Sequence, residues 1–261
     1  MSDYNKVKIL LIYHKERLDK YEDFSIKTLF KNFDNSQIIV VHPNNIDNPF
    51  PKCDSKSFDK KHFKSRKNYS QLLLSPKFYN SFADLQYIVI YQLDCIFLSN
   101  NIEYFCDTGF DYIGAPFFRN IEYPSLGLSR VGNGGLSIRK VESFLNVLNS
   151  KRVKSLGSIL VSNFGDRKFW DIKKKFQIHR EAKKGINSYI QGYTLNEDLF
   201  WSDRAHIFFP KFRVAPIEIG LKFSFEAHPS VCYNKNNKQL PLGAHGWNKW
   251  DRGFWKKRLL N

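Results

Sequence analysis

The chain has little with which to build a disulfide framework, a membrane span or a phosphate-binding loop. Its four cysteines, Cys53, Cys95, Cys106 and Cys232, never fall in a Cys-x-x-Cys pair. That pattern argues against a zinc site and for reduced thiols. No uncharged apolar run approaches the roughly 18 residues of a spanning helix. The opening residues, Met1 to Lys6, are polar, so no secretion signal is expected. There is no Gly-Lys-Ser/Thr and no Gly-x-Gly-x-x-Gly between a strand and a helix, which excludes the common nucleotide-binding fingerprints. Internal repeats and low-complexity linkers are missing too, so one continuous domain over residues 1–261 is expected.

Acids are also scarce: 25 Asp and Glu face 41 Lys and Arg, a net charge of +16. The surplus is local. Lys151 to Lys184 holds eleven bases against three acids, and Lys52 to Lys67 seven against two. Such charge is either a solvated surface or the mark of a polyanionic substrate, an anionic membrane or nucleic acid. No nucleic-acid motif accompanies it, so a nucleic-acid-binding module is the alternative reading and nucleic acid is not the expected partner.

What the chain does have is apolar periodicity, with 42% apolar residues and 16% aromatics. Val7 to Tyr13, Gln37 to His42 and Tyr87 to Tyr91 read as buried strands. Between the first two, Ile26, Leu29, Phe30 and Phe33 fall at helical spacing. Residues 43–62 read as a polar loop. Tyr69, Leu72 and Leu73 suggest a helix, and Ser75-Pro76 opens another running to Phe82. Asp111 to Gly114 and Gly135 to Arg139 are short candidate strands, and Val141, Phe144, Leu145 and Leu148 mark a helix. This alternation predicts an α/β fold with a mostly parallel sheet flanked by helices. Residues 151–190 read as a basic helical insertion, Asn196 as the cap of a helix through Trp201, and Phe212 to Phe225 as further strands.

Four polar clusters interrupt this pattern. Asp94 ends the strand that starts at Tyr87; it is either a turn residue or a metal or ligand contact, since ligands sit beyond the carboxyl ends of such strands. Gly132-Asn133-Gly134-Gly135 is either a hairpin turn or a loop whose backbone approaches a ligand. Glu197-Asp198 either complements a helix dipole or supplies a general base. His245, between glycines, is either a surface loop residue or a metal ligand.

Together these clusters resemble the GT-A glycosyltransferases, and more closely a domain-of-unknown-function family of that type. The matching segments are Tyr91 to Asp94, Asp111 to Phe117, Gly132 to Arg139, Asn196 to Asp198, Phe223 to Glu226 and Pro241 to His245. The resemblance implies a GT-A-like, Rossmann-like fold. It implies transfer of a sugar from a nucleotide donor, read as UDP-linked, to a saccharide or lipid-linked glycan. It further implies Mn²⁺ or Mg²⁺ held by Asp94 and His245, with Gln92 standing where the family has the first Asp of Asp-x-Asp. Asp198 is implied as the catalytic base, with Glu197 beside it and inversion as the outcome. Donor or acceptor contacts are expected from Gly114, Asn133, Gly134, Gly135 and Glu226. Lys67, Lys77 or Arg139 is expected near the diphosphate, and Tyr13-His14 near the base. Tyr13 is either a stacking ring or a strand-end aromatic. The loss of the first Asp raises a third reading, a non-catalytic sugar-binding relative.

Residues 247–261 mix Trp with cations, which suits either ordinary packing or anionic lipid headgroups. The expected location is the cytoplasm, with this tail raising peripheral attachment to the inner face of the membrane.

Overall fold

The strands foreseen from apolar runs form the middle of a six-stranded sheet. The computed structural model describes residues 6–160 and 171–259. Its first elements are β1 (Val7–Ile12), α1 (Lys20–Asn32), β2 (Ile38–Pro43), β3 (Asp54–Phe58), α2 (Arg66–Leu73), α3 (Pro76–Asn80), β4 (Tyr87–Gln92) and β5 (Cys95–Phe97). Then come α4 (Ile102–Asp107), β6 (Tyr112–Gly114), β7 (Pro116–Phe118), β8 (Leu128–Val131), β9 (Leu136–Lys140) and α5 (Val141–Leu148). The rest comprises α6 (Leu156–Leu160), α7 (Asp171–Ala182), α8 (Ile186–Gln191), α9 (Glu197–Asp203), α10 (Ala205–Phe208), α11 (Ile217–Phe223), β10 (Ser224–Phe225), α12 (Pro229–Lys235), β11 (Gly243–His245) and α13 (Arg252–Leu259).

The central sheet has the order β3-β2-β1-β4-β9-β6. β3, β2, β1 and β4 run parallel, while β9 is antiparallel to both β4 and β6. Side chains alternate across a strand, so each central strand serves two cores. Leu10, Ile12, Ile88 and Ile90 pack on one face with α2, α3 and α5. Ile9, Leu11, Val89 and Tyr91 pack on the other with Ile26 and Leu29 of α1. Covering both faces explains why these strands read as continuous apolar runs. The result is a mixed α/β domain with a mostly parallel sheet flanked by helices.

Several expectations need correction. The 43–62 stretch is not all loop, because β3 adds an edge strand there. Four of its five residues are exposed, so it carries no apolar signal. Phe212 to Phe225 is mainly the helix α11 and ends in the two-residue β10. Asn196 occupies the cap position of α9 but makes no side-chain cap bond. α1 instead has a capping box, with Asp19 and Glu22 satisfying each other's backbone N–H groups. The basic 151–190 segment forms α6, α7 and part of α8 in its described portion, and residues 161–170 lie outside the described residues. Among the described residues no helix is long and apolar enough to cross a membrane.

A second, three-stranded sheet, β10-β11-β5, sits beyond the end of β4. Its inner residues Ile96, Phe225 and Ala244 share a core with Phe254 and Trp255 of α13. Of the tail aromatics, Phe254 and Trp255 are buried, which fits the packing alternative for these two, while Trp247 and Trp250 are half-buried and Trp247 donates to Ser25 Oγ at 3.0 Å.

Candidate active site

The second sheet brings distant residues together by register. β4 ends at Gln92, and the two-residue turn Leu93-Asp94 leads into β5. β5 pairs antiparallel with β11, which sets His245 opposite Cys95 and beside Asp94. β10 pairs parallel with β11, Phe225 against Ala244, so the next residue, Glu226, reaches the other edge of the same imidazole. His245 Nε2 lies 3.2 Å from Asp94 Oδ1, and His245 Nδ1 lies 3.2 Å from Glu226 Oε1. Lys249 Nζ completes the group, 2.5 Å from Asp94 Oδ2.

The charges are strongly coupled. Burial alone lowers the His245 imidazole, but the carboxylates of Asp94 and Glu226 outweigh it and raise it to about 10. Burial favours the neutral Asp94 carboxyl, yet His245 and Lys249 hold it well below the usual carboxylate range. Asp94, Cys95 and His245 offer ligand atoms within 4.8 Å of one another. Cys95 suits a metal poorly: its thiol is buried, raised by burial, and directed at the Gly135 carbonyl at 3.2 Å. A carboxylate oxygen and an imidazole nitrogen, with Glu226 orienting the far side of the ring, fit a divalent cation that displaces the Nε2 proton and also takes phosphate oxygens.

A cleft of about 480 Å³ opens at the carboxyl ends of β1 and β4. His14, Gln92 and Asp94, all foreseen, line it. Tyr13 does not: its ring is buried and packs perpendicular to Phe50, 5.9 Å away. Strand alternation turns it into the core behind the cleft. Lys67 and Lys77 are also absent from the lining; the cations there are Lys15, Arg66 and Lys249. Lys15 is paired with Glu22 at 2.5 Å.

Arg139, the third expected phosphate contact, is wholly buried. Its Nη2 and Nη1 donate to the two Glu197 carboxylate oxygens at 2.9 and 3.1 Å. Further bonds run to Tyr79 Oη, Ser137 Oγ and the Gly134 carbonyl. Burial raises Glu197 to about 7 against the opposing pull of Arg139, and Arg139 itself is raised by Glu197. Two parallel hydrogen bonds are the geometry of an ionised pair, and we read it as such. Glu197 is thus a buried partner of Arg139 that ties α9 to β9, and this is the role its geometry supports.

Its neighbour Asp198 is differently placed. Burial raises its carboxyl, which accepts from the Leu199 N–H at 2.8 Å and feels the charge of Glu226. The glycine loop fits between these groups. A methyl at Gly134 would overlap the Glu197 carboxylate, and one at Gly135 the His245 imidazole. The loop therefore separates Glu197, the neighbour of Asp198 at the start of α9, from the His245 imidazole. Gly114 and Asn133 lie in and against the glycine loop. Gly114 packs on the Gly132 and Asn133 carbonyls, and Asn133, at φ 42°, is buried with no partner for Oδ1 among the described residues. Gly135→Ala is expected to displace His245 and weaken Mn²⁺ binding at least tenfold, on the scale of a lost ligand-orienting contact. Isothermal titration with Mn²⁺ checks this, and unchanged affinity would refute it.

Lys15, Arg66, Tyr69 and Lys249 were not picked out as site residues from the sequence. Lys249 follows His245 by one turn's length, and Ser65-Arg66 is a helix start; those were the only local signals.

Fold and cluster together define an open-sheet α/β domain whose ligand site lies beyond the carboxyl ends of its strands. Residues 52–245 match the family described as "Protein of unknown function (DUF5672)", and the chain belongs to that family. Similar solved structures include mouse xyloside xylosyltransferase 1 in its apo form: 12% identity, 92% of this chain and 97% of that one, TM-score 0.48. Glycosyltransferase GlyE of Streptococcus pneumoniae TIGR4 is 10% identical over 98% of this chain and 61% of its own, TM-score 0.45. A glycosyltransferase involved in glycosylation of the major capsid of PBCV-1 is 8% identical over 98% and 99%, TM-score 0.43. No curated protein matches the sequence.

Proposed function

We propose that this chain transfers a sugar from a UDP-linked donor to a hydroxyl of a saccharide or lipid-linked glycan, inverting the anomeric centre. The observation that supports the reading is the grouping of Asp94, His245 and Glu226 beside the Gly134–Gly135 loop, with the Asp198 carboxyl near enough to feel the charge of Glu226. Asp94 belongs both to this cluster and to the cleft wall.

In this reading Arg66, Lys15 and Lys249 supply positive charge for the donor diphosphate, and Gln92 a neutral hydrogen-bonding amide. Asp94 Oδ1 and His245 Nε2 would hold Mn²⁺ or Mg²⁺, which supplies Lewis-acid stabilisation of the diphosphate leaving group when bound. Glu226 keeps the imidazole oriented through Nδ1. Asp198 accepts the acceptor hydroxyl proton while that oxygen forms its bond to the anomeric carbon and the bond to the diphosphate breaks. Attack from the face opposite the leaving group inverts the centre.

Isothermal titration with UDP is the direct test. Binding that requires Mn²⁺ and is lost in His245→Ala is expected, followed by release of UDP in a screen of nucleotide sugars. Gln92, in place of an acid, motivates the second reading of a non-catalytic sugar binder. Metal-independent sugar binding without turnover would favour that reading, and oligonucleotide binding alone would favour a nucleic-acid module.

A further inference from the structure

Among the described residues, α7 is anchored through one face. Ile178 and Ala182 are buried in the core with Ile159, Ile186 and Tyr189. At roughly 100° per residue, the opposite face carries Ile172, Lys173, Phe176, Arg180 and Lys183. All five are exposed, Ile172 at 53% and Phe176 at 48%. Lys174 and Lys184 are exposed beside them. On α7 itself Glu181 is half-buried and accepts from Gln177 at 2.7 Å, and Asp171 begins the helix. Two large apolar side chains one turn apart, framed by cations, are poorly suited to water. They match a surface that is anionic at its rim and apolar just beneath.

We propose that this face of α7 docks on an anionic bilayer, with Ile172 and Phe176 entering the acyl boundary and Lys173, Arg180 and Lys183 meeting the lipid phosphates. A nucleic acid would use the cations but leave both apolar side chains wet, so the bilayer is the better match. The inference is independent of sugar transfer, since no α7 residue lines the cleft. It also relocates the membrane-facing surface from the C-terminal tail, whose Phe254 and Trp255 are buried.

Flotation of the full chain with phosphatidylcholine vesicles, with and without phosphatidylglycerol, tests it. Binding only to the anionic vesicles, weakened by salt, is expected. Ile172→Ser with Phe176→Ser should weaken partitioning roughly tenfold or more, and Lys173→Glu with Arg180→Glu should do the same. Phe176→Trp provides a second measurement: brominated lipid should quench its emission beyond the quenching of the parent chain. Flotation unchanged in both double variants would overturn the proposal. So would absence of extra quenching, or retention on a soluble polyanion with no vesicle binding.

Discussion

Replacing Asp198 by Asn is expected to slow sugar transfer by roughly 10²–10⁴-fold, the usual contribution of a general base, while UDP binding stays near that of the parent. Asn has the same shape and can still accept from the Leu199 N–H, so the local geometry should survive. What it cannot do is take a proton. Asp198 does not line the cleft, which is why donor affinity should be spared. The pH dependence follows with a definite sign. The base works ionised, and burial raises its carboxyl above the ordinary Asp value. Activity should therefore fall as pH drops through that raised value, so the acid limb of kcat/KM lies above the range of an exposed Asp. Near-normal turnover by Asp198→Asn, or an acid limb unmoved in a variant retaining partial activity, would remove Asp198 from the mechanism.

Glu197→Gln should be the most destabilising polar substitution near the site. It leaves the Arg139 guanidinium wholly buried with its charge uncompensated, a loss of about 3–5 kcal/mol. For a chain of this size that corresponds to a fall in Tm on the order of 10 °C. The double variant Arg139→Met/Glu197→Leu removes both charges together and should recover a good part of that loss, because an ion pair in a dry interior gains little over apolar packing. Thermal unfolding of the single and double variants reads the difference. A double variant no more stable than the single would mean that Arg139 matters through its bonds to Tyr79, Ser137 and Gly134, not through the charge of Glu197.

The adjacent acids Glu197 and Asp198 show why sequence reading separates residue types better than roles. Both begin a helix, and both looked available for chemistry. Which one is consumed by a buried cation depends on Arg139, 58 residues earlier on β9, and β9 meets α9 only in the folded chain. The same limit explains the phosphate contacts. Lys67 and Arg66 are neighbours, but helical rotation turns only Arg66 to the cleft. Tyr13 and His14 are neighbours too, and strand alternation buries the first while the second lines the cleft. β3 was missed because an exposed edge strand needs no apolar pattern.

The sequence by itself determined the central strands and their flanking helices, since burial on both faces demands unbroken apolar runs whatever lies elsewhere. It also marked Asp94, His245 and the Gly132–Gly135 loop, because turns at strand ends and glycine crowding leave local traces. Tertiary structure alone decided that Glu226 and Lys249 join Asp94 and His245, that Glu197 is locked to Arg139, and that Phe254 and Trp255 are buried. Those outcomes follow from strand register and long-range packing, which bring together side chains as far apart as Asp94 and Lys249 and leave no periodic signal along the chain.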